Sequence, residues 1–151
     1  MTRSRFAAAL LALAAFAVPA AAAAEGAGAK APLPPGCIEV QHVLIAFTGS
    51  VPGKEIARTK EEAAKLAQEL LEQAKKGADF TALVKKYTAD SAPGIYKMCD
   101  AEQVPKGFYS RYGMVKAFGD VSFALEPGEV GMAEWSAADS PYGWHIIKRL
   151  Q

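Results

Sequence analysis

The only two histidines of the chain, His42 and His145, both lie in apolar segments that are typical of β-strands. Imidazole titrates near neutral pH and can donate, accept or bind a metal, so two enclosed histidines are a candidate site. The alternative is that each ring is a neutral, hydrogen-bonded core side chain. Their spacing from the two cysteines matches no compact zinc motif, and no phosphate loop, dinucleotide fingerprint or nucleophile elbow is present. We therefore predict no metal and no cofactor.

Cys37 and Cys99 are the only cysteines. An even number of cysteines permits a disulfide where the compartment is oxidising. Two unpaired thiols are the alternative, because spacing along the chain does not give the distance between the two Cα atoms.

The N-terminal stretch 1–24 predicts a cleavable secretory signal peptide. Arg3 and Arg5 precede an uncharged, apolar run that ends in small residues at Ala24. A retained membrane anchor is the alternative, but the run consists largely of alanine and is interrupted by Pro19. Cleavage near Ala24 predicts a periplasmic or secreted protein with no stable membrane insertion.

The segments that follow predict a tether and then a buried strand. Residues 25–36 combine glycine and proline without apolar periodicity, which indicates a flexible tether. The string IEVQHVLIAF, residues 38–47, is rich in β-branched residues and predicts a strand. Side chains alternate between the faces of a strand, so His42 shares a face with Leu44 and is expected to be enclosed.

Two helices are predicted after this strand. Thr59 and Glu62 have the spacing of a capping box, and apolar residues then recur at steps of three and four until Gly77. This pattern predicts a helix over 60–76. Asp79 can cap a second, short helix whose apolar residues also share one face.

The remainder of the chain predicts a loop, short helical turns and two strands. Residues 88–107 contain several prolines and glycines and are expected to be irregular, as functional loops often are. One or two helical turns are expected within 113–125, and strands over 130–135 and 144–150. The element order predicts an α+β fold, with one sheet and helices packed on it.

The composition is that of one folded domain with an appendage. Hydrophobic residues make up 51% and charged residues 22%, with 17 basic against 16 acidic side chains. Disorder would require lower hydrophobicity and a larger net charge. The formal charge of +1 gives no basis for capturing nucleic acid, so no nucleic-acid partner is predicted.

Four segments resemble the parvulin family of peptidyl-prolyl isomerases and follow the order of that family: VQHVLIAF, ADFTALVKKYTADSA, GMVKAFGDVSFALEPGEV and YGWHIIKRL. The resemblance implies a parvulin-like domain over 37–151, with a four-stranded antiparallel sheet surrounded by about four helices. It also implies an isomerase that acts on proline-containing unfolded or extended polypeptides without a covalent intermediate. A parvulin-like chaperone that binds such chains with little catalysis is the alternative.

The same resemblance implies the site residues. His42 and His145 match the family's paired histidines, and Asp90 matches a position that carries cysteine or aspartate, so these three are the candidate catalytic residues. Met114 and Phe118 match the proline pocket. The complete set of candidate substrate-binding residues is Met114, Phe118, Ser140 and Tyr142.

One segment departs from the family pattern. The string GIYKMCDAEQVPKGFY stands where the family has Gly-Gly-Asp-Leu-Gly, so a pocket-lining leucine is missing. Val104 and Lys106 are the candidates for its place. A bridge between Cys37 and Cys99 would hold this segment beside the site.

Three basic residues, Lys54, Arg58 and Lys60, lie where phosphate-selective parvulins have a basic cluster. Exported proteins seldom meet phosphorylated partners, so we interpret these residues as a solvated face.

Overall fold

The sheet is built around β1 (Cys37–Ile45), in which every residue after Cys37 is buried. In the computed structural model, which describes residues 30–151, four further strands surround it. They are β2 (Ile95–Cys99), β3 (Tyr109–Ser110), β4 (Val130–Ala133) and β5 (Trp144–Arg149). The strand order is β3-β2-β1-β5-β4, so β1 lies at the centre.

The strand count differs from the expected four. β1, β2, β4 and β5 pair antiparallel, as predicted. The fifth strand, β3, has only two residues and pairs parallel to β2 at the edge of the sheet. It forms because the chain returns to the end of β2 after the 100–108 segment, and there Ser110 Oγ donates to the carbonyl of Ala101 at 2.6 Å.

The helices confirm the prediction from the capping signals. α1 (Lys60–Lys75) begins with the predicted capping box: Glu62 N donates to Thr59 Oγ1 at 3.1 Å, and Thr59 N donates to Glu62 Oε2 at 2.8 Å. α2 (Phe80–Tyr87) is capped by Asp79. α3 (Lys116–Ala124) follows a single 3-10 turn, Arg111–Gly113. Residues 30–151 therefore contain three α-helices and one 3-10 turn where about four helices were expected.

The two faces of the sheet bury separate hydrophobic clusters. On one face, Val43 and Ile45 of β1 pack in a cluster with α1 and α2. On the other face, Ile38 and Val40 pack in a cluster with Phe118 of α3. By strand alternation His42 lies on the α3 face, so it is enclosed as predicted, with 3% of its surface exposed.

A disulfide joins the central strand β1 to its neighbour β2. Cys37 and Cys99 are direct partners in the β1–β2 register and are bonded, with an S–S distance of 2.05 Å. Residues Pro32–Gln151 form one compact unit. The stretch 1–24 and the first residues of the expected tether, 25–29, lie outside the described residues. No helix among residues 30–151 is both long and apolar enough to cross a membrane.

Candidate active site

The two histidines meet side by side beneath α3. β1 and β5 pair so that Leu44 is opposite His145, which places His145 diagonally from His42. Their Nδ1 atoms are 3.2 Å apart, and the two rings are stacked with an interplanar angle of 13°. The sheet register therefore brings together two residues that lie 103 positions apart in sequence.

Asp90 joins this pair from the chain that follows α2. Its Oδ2 lies 3.0 Å from His42 Nε2, and its Oδ1 accepts a hydrogen bond from Thr88 Oγ1 at 2.5 Å. Thr88 Oγ1 in turn accepts from Leu44 N at 3.1 Å. The carboxylate is thus fixed on both sides, and the three candidate catalytic residues form one contiguous group.

The protonation states follow from these contacts. Burial raises the pKa of the Asp90 carboxyl, but the contact with His42 and the Thr88 hydroxyl outweigh it, and the net pKa lies below its usual value. An ionised carboxylate can only accept, so we assign a proton to His42 Nε2, the atom that faces Asp90. His42 Nδ1 then accepts from His145 Nδ1–H. This leaves His145 Nε2 as a buried acceptor with no hydrogen-bond partner among the described residues.

His145 is held neutral by its surroundings. Burial and the neighbouring His42 ring lower the pKa of His145 to about 3, and attraction by Asp90 offsets only part of this shift. A neutral imidazole with fixed tautomer is therefore the form present at physiological pH.

This burial predicts a stability that declines in mild acid. Between pH 6.5 and about 3 the unfolded chain binds a proton at His145 that the folded chain does not bind. The free energy of unfolding should fall with decreasing pH in this window, with a slope from this residue of at most about 1.4 kcal/mol per pH unit. Denaturant unfolding at pH 6.5 and at about pH 5.3 measures it, above the range of about pH 5 and below in which Asp90 contributes. A His145→Gln variant with an unchanged pH dependence would contradict this assignment.

The three residues lie at the edge of an apolar cavity of about 260 Å³. Phe118 forms its floor, with its ring centroid 5.1 Å from that of His42 and 5.4 Å from that of His145. Met114 precedes α3 and is half-buried. The lining consists of His42, Leu44, Val51, Asp90, Tyr96, Met114, Val115, Phe118, Tyr142 and His145. A small apolar side chain would fit this cavity with a carboxylate and two imidazoles at one edge.

A turn before β5 carries Tyr142 to the cavity. Ser140 is not among the lining residues; it is fully buried, and its hydroxyl donates to the carbonyl of Gly143 at 2.8 Å. Ser50 Oγ donates to the carbonyl of Tyr142 at 2.9 Å and accepts from Phe47 N at 3.0 Å. Ser140 and Ser50 thus fix the turn that presents Tyr142, and sequence reasoning did not single out Ser50.

Tyr96 is the wall that sequence reasoning missed. It lies on β2, inside the region expected to be irregular, and its ring makes an edge contact with His42 at 5.2 Å between centroids. Neither Val104 nor Lys106, the two candidates for the place of the missing leucine, lines the cavity. The available signal was the alternation that places Tyr96 and Met98 on one face of the segment. A pattern of only five residues between a glycine and an aspartate is a weak signal.

The three basic residues after β1 are each engaged within the chain. Lys54 Nζ donates to the carbonyl of Ala89, and Arg58 Nη1 donates to the carbonyl of Ala46 at 3.0 Å. Lys60 Nζ lies 3.2 Å from the centroid of the Trp135 ring. They form separate internal contacts rather than a converging anion site.

A second concave region among residues 30–151 lacks this chemistry. A larger open groove of about 780 Å³ runs between the 55–58 segment and α1, and its lining mixes acidic, basic and apolar side chains. No group of three or more histidine, cysteine, aspartate or glutamate residues that could hold a metal ion occurs in the part of the chain that the structure describes.

Comparison with known proteins supplies the family. A family model described as the PPIC-type PPIase domain matches residues 29–151. The chain is 28% identical over 123 residues to the peptidyl-prolyl cis-trans isomerase ssp-1 of Neurospora crassa, covering 78% of this chain and 62% of the relative. It is 32% identical over 114 residues to foldase protein PrsA 4 of Bacillus cereus, covering 74% of this chain and 30% of the relative.

Solved structures share the fold. The solution structure of TbPIN1 has a TM-score of 0.58 at 23% identity, covering 78% of this chain and 99% of that chain. The peptidyl-prolyl isomerase ESS1 from Candida albicans has a TM-score of 0.54 at 23% identity, covering 77% of this chain and 63% of that chain.

The chain belongs to the PPIC-type peptidyl-prolyl isomerase family, the parvulin type. The predicted family and the parvulin-like α+β fold are therefore confirmed, and the family agrees with the predicted enzyme class. The chain spans less than two thirds of the length of the curated relatives it matches.

Proposed function

We propose that the protein is a peptidyl-prolyl cis/trans isomerase that binds the proline ring in the apolar cavity and favours the twisted amide. The observation that carries this proposal is the position of the cavity, which is lined by Met114 and Phe118 and lies directly against the Asp90–His42–His145 group. Membership of the isomerase family supports it.

The reaction requires neither a nucleophile nor a metal. Rotation about a peptide bond crosses a barrier of ~18–20 kcal/mol because the planar amide is resonance-stabilised. X–Pro bonds accordingly exchange unaided in tens to hundreds of seconds. The twisted amide loses this resonance, and its carbonyl oxygen carries less negative charge than in the planar form. An apolar cavity therefore suits the transition state better than either planar isomer.

We assign Asp90 an electrostatic role. Its side chain is 28% exposed and lines the cavity, while Thr88 and His42 hold it in place. A fixed carboxylate near the substrate carbonyl repels the charged oxygen of the planar amide more than that of the twisted amide, which lowers the relative energy of the transition state. His42 orients the carboxylate, and neutral His145 fixes the tautomer of His42.

The substrates we propose are proline-containing unfolded or extended polypeptides outside the cytoplasm. The predicted signal peptide supports export to the periplasm or the exterior, and the disulfide suits an oxidising compartment. The internal engagement of Lys54, Arg58 and Lys60 supports a substrate without phosphate. Assistance to the folding of exported proteins is the corresponding biological role.

A binding function without much catalysis is the second candidate. Tyr109, at the end of the segment that departs from the family, and Tyr112, three residues later, are 52% and 67% exposed. Exposed aromatic side chains suit capture of extended chains. Stoichiometry separates the two functions, because an enzyme acts far below the substrate concentration and a binder acts only near equimolar amounts.

A protease-free cis/trans assay with X–Pro peptides tests the proposal. We expect acceleration at catalytic amounts of protein, and an Asp90→Asn variant should lower kcat at least about tenfold, or ~1.4 kcal/mol of barrier. Asp79→Asn is the matched control, since asparagine also caps α2 and Asp79 lies outside the cavity. Unchanged activity in Asp90→Asn would remove Asp90 from the mechanism. No acceleration by the folded wild-type protein would favour the binding function.

A further inference from the structure

Arg111 connects the segment that departs from the family to the helix that carries the cavity floor. Its Nη1 lies 3.3 Å from Asp100 Oδ2, one residue beyond β2, and its Nη2 lies 2.7 Å from Asp120 Oδ1 in α3. The guanidinium also lies over the Phe123 ring, with 5.0 Å between Cζ and the ring centroid. One side chain thus contacts both the residue that follows β2 and two successive turns of α3.

The main chain of Arg111 supports the same connection. Its carbonyl accepts a hydrogen bond from Met114 N at 3.1 Å, which closes the 3-10 turn directly before the cavity. Its aliphatic stem packs on Gly119, where an added Cβ would lie 3.2 Å from Arg111 Cγ. Met114 and Gly119's neighbour Phe118 both line the cavity. Arg111 therefore contacts the chain immediately beside two walls of the cavity, Met114 and Phe118.

We propose that Arg111 is a positioning residue of the substrate cavity: by bridging Asp100 and Asp120 it fixes the separation between Met114 and Phe118. This inference rests on the proposed function. A planar guanidinium can bridge two carboxylates on different elements at once, whereas an ammonium group is a single point charge. No other described basic side chain pairs with both aspartates.

Lys116 offers a matched control. Its Nζ lies 2.7 Å from Asp120 Oδ2, so it pairs with the same carboxylate at the same distance as Arg111 does. Lys116 and Asp120 both belong to α3, however, so their pair connects nothing outside the helix. Removing Lys116 deletes an ion pair of equal length and leaves the bridge intact.

The test compares Arg111→Gln, Arg111→Lys and Lys116→Gln by isomerase kinetics. Both arginine variants should raise KM roughly 3- to 10-fold. This effect is smaller than the ~100-fold loss of rate that a 1 Å misplacement of reacting groups can cause. kcat should change less, because loosening the cavity weakens the binding of planar and twisted amides by similar factors. Lys116→Gln should keep KM within about twofold, as surface ion pairs in a helix are weak. Equal effects of Arg111→Gln and Lys116→Gln, or full activity in Arg111→Gln, would overturn the proposal.

Two further measurements keep the result interpretable. The midpoint of denaturant unfolding should be similar in Arg111→Gln and Lys116→Gln, since all the carboxylates involved are partly exposed. A rise in KM that simply follows a loss of stability would count against positioning. The Met114 methyl resonance of the peptide-free protein should shift in Arg111→Gln and not in Lys116→Gln. That shift tests the bridge even if the wild-type protein fails to catalyse. Its absence would overturn the inference about Arg111 and leave the proposed function untouched.

Discussion

Replacing both cysteines with alanine, Cys37→Ala and Cys99→Ala together, should lower the free energy of unfolding by about 4 kcal/mol. The bond closes a loop of 62 positions, so its loss frees the unfolded chain. Alanine is the suitable substitute because Cys99 is buried, and a serine hydroxyl there would add the cost of an unpaired polar group. Denaturant unfolding of the oxidised wild-type protein and the double variant gives the difference.

Reductant provides the control for this prediction. It should destabilise the wild-type protein by a similar amount and leave the double variant unchanged. A difference in the free energy of unfolding below about 1 kcal/mol would contradict the prediction. It would show that pairing of β1 with β2 holds the ends of the loop together without the disulfide, in the folded and the unfolded protein alike. Asp100 directly follows Cys99, so reduction should also loosen the base on which Arg111 is anchored.

Gly143→Ala should destabilise the protein by about 3 to 5 kcal/mol, at the upper end of single substitutions. Gly143 has a φ of +142°, and an added Cβ would lie 2.2 Å from the carbonyl oxygen of Ile45. The obstructing atoms are backbone atoms of β1 and its extension, which cannot move aside without breaking the sheet. Because the residue lies between Tyr142 and His145, isomerase activity should fall together with stability.

Gly128→Ala separates the two causes of this loss. Gly128 also has a positive φ, +90°, but nothing lies within 4 Å of its Cβ position. Its substitution should therefore cost only about 1 to 2 kcal/mol, the backbone contribution. Equal losses at Gly128 and Gly143, measured by thermal or denaturant unfolding, would show that close approach to Ile45 is unimportant.

Elements with strong local signals were predictable from the sequence. The capping box of Thr59 and Glu62 and the apolar spacing after it gave α1 within one residue at its C-terminal end. Alternation along 38–47 placed His42 on the face that packs against α3. These features depend on neighbours a few residues apart, where sequence carries the information directly.

Elements that depend on partners distant in the chain were not predictable from the sequence. β2 is only five residues long and follows Gly94, so its local signal is weak. It forms because β1 offers it a strand to pair with. Tyr96 was missed as a cavity wall for the same reason. The contact between His42 and His145 also depends on sheet register, and only resemblance to a family indicated it.

The segment 94–109 shows why a departure from a family pattern does not by itself remove a site. Tyr96 supplies an aromatic wall, and Arg111 connects the segment to α3. The segment that departs from the family pattern thus still supplies one wall of the cavity. The central prediction is that the cavity, with Tyr96 as one wall, accepts the proline ring.

Two-dimensional exchange NMR of an X–Pro peptide, with the protein far below the peptide concentration, tests the central claim most directly. The account predicts cis–trans cross-peaks with the wild-type protein at mixing times too short for spontaneous exchange, and their loss with Met114→Ala, which widens the cavity but leaves the Asp90–His42–His145 group intact. Cross-peaks of equal intensity with Met114→Ala, or none with the folded wild-type protein, would contradict it.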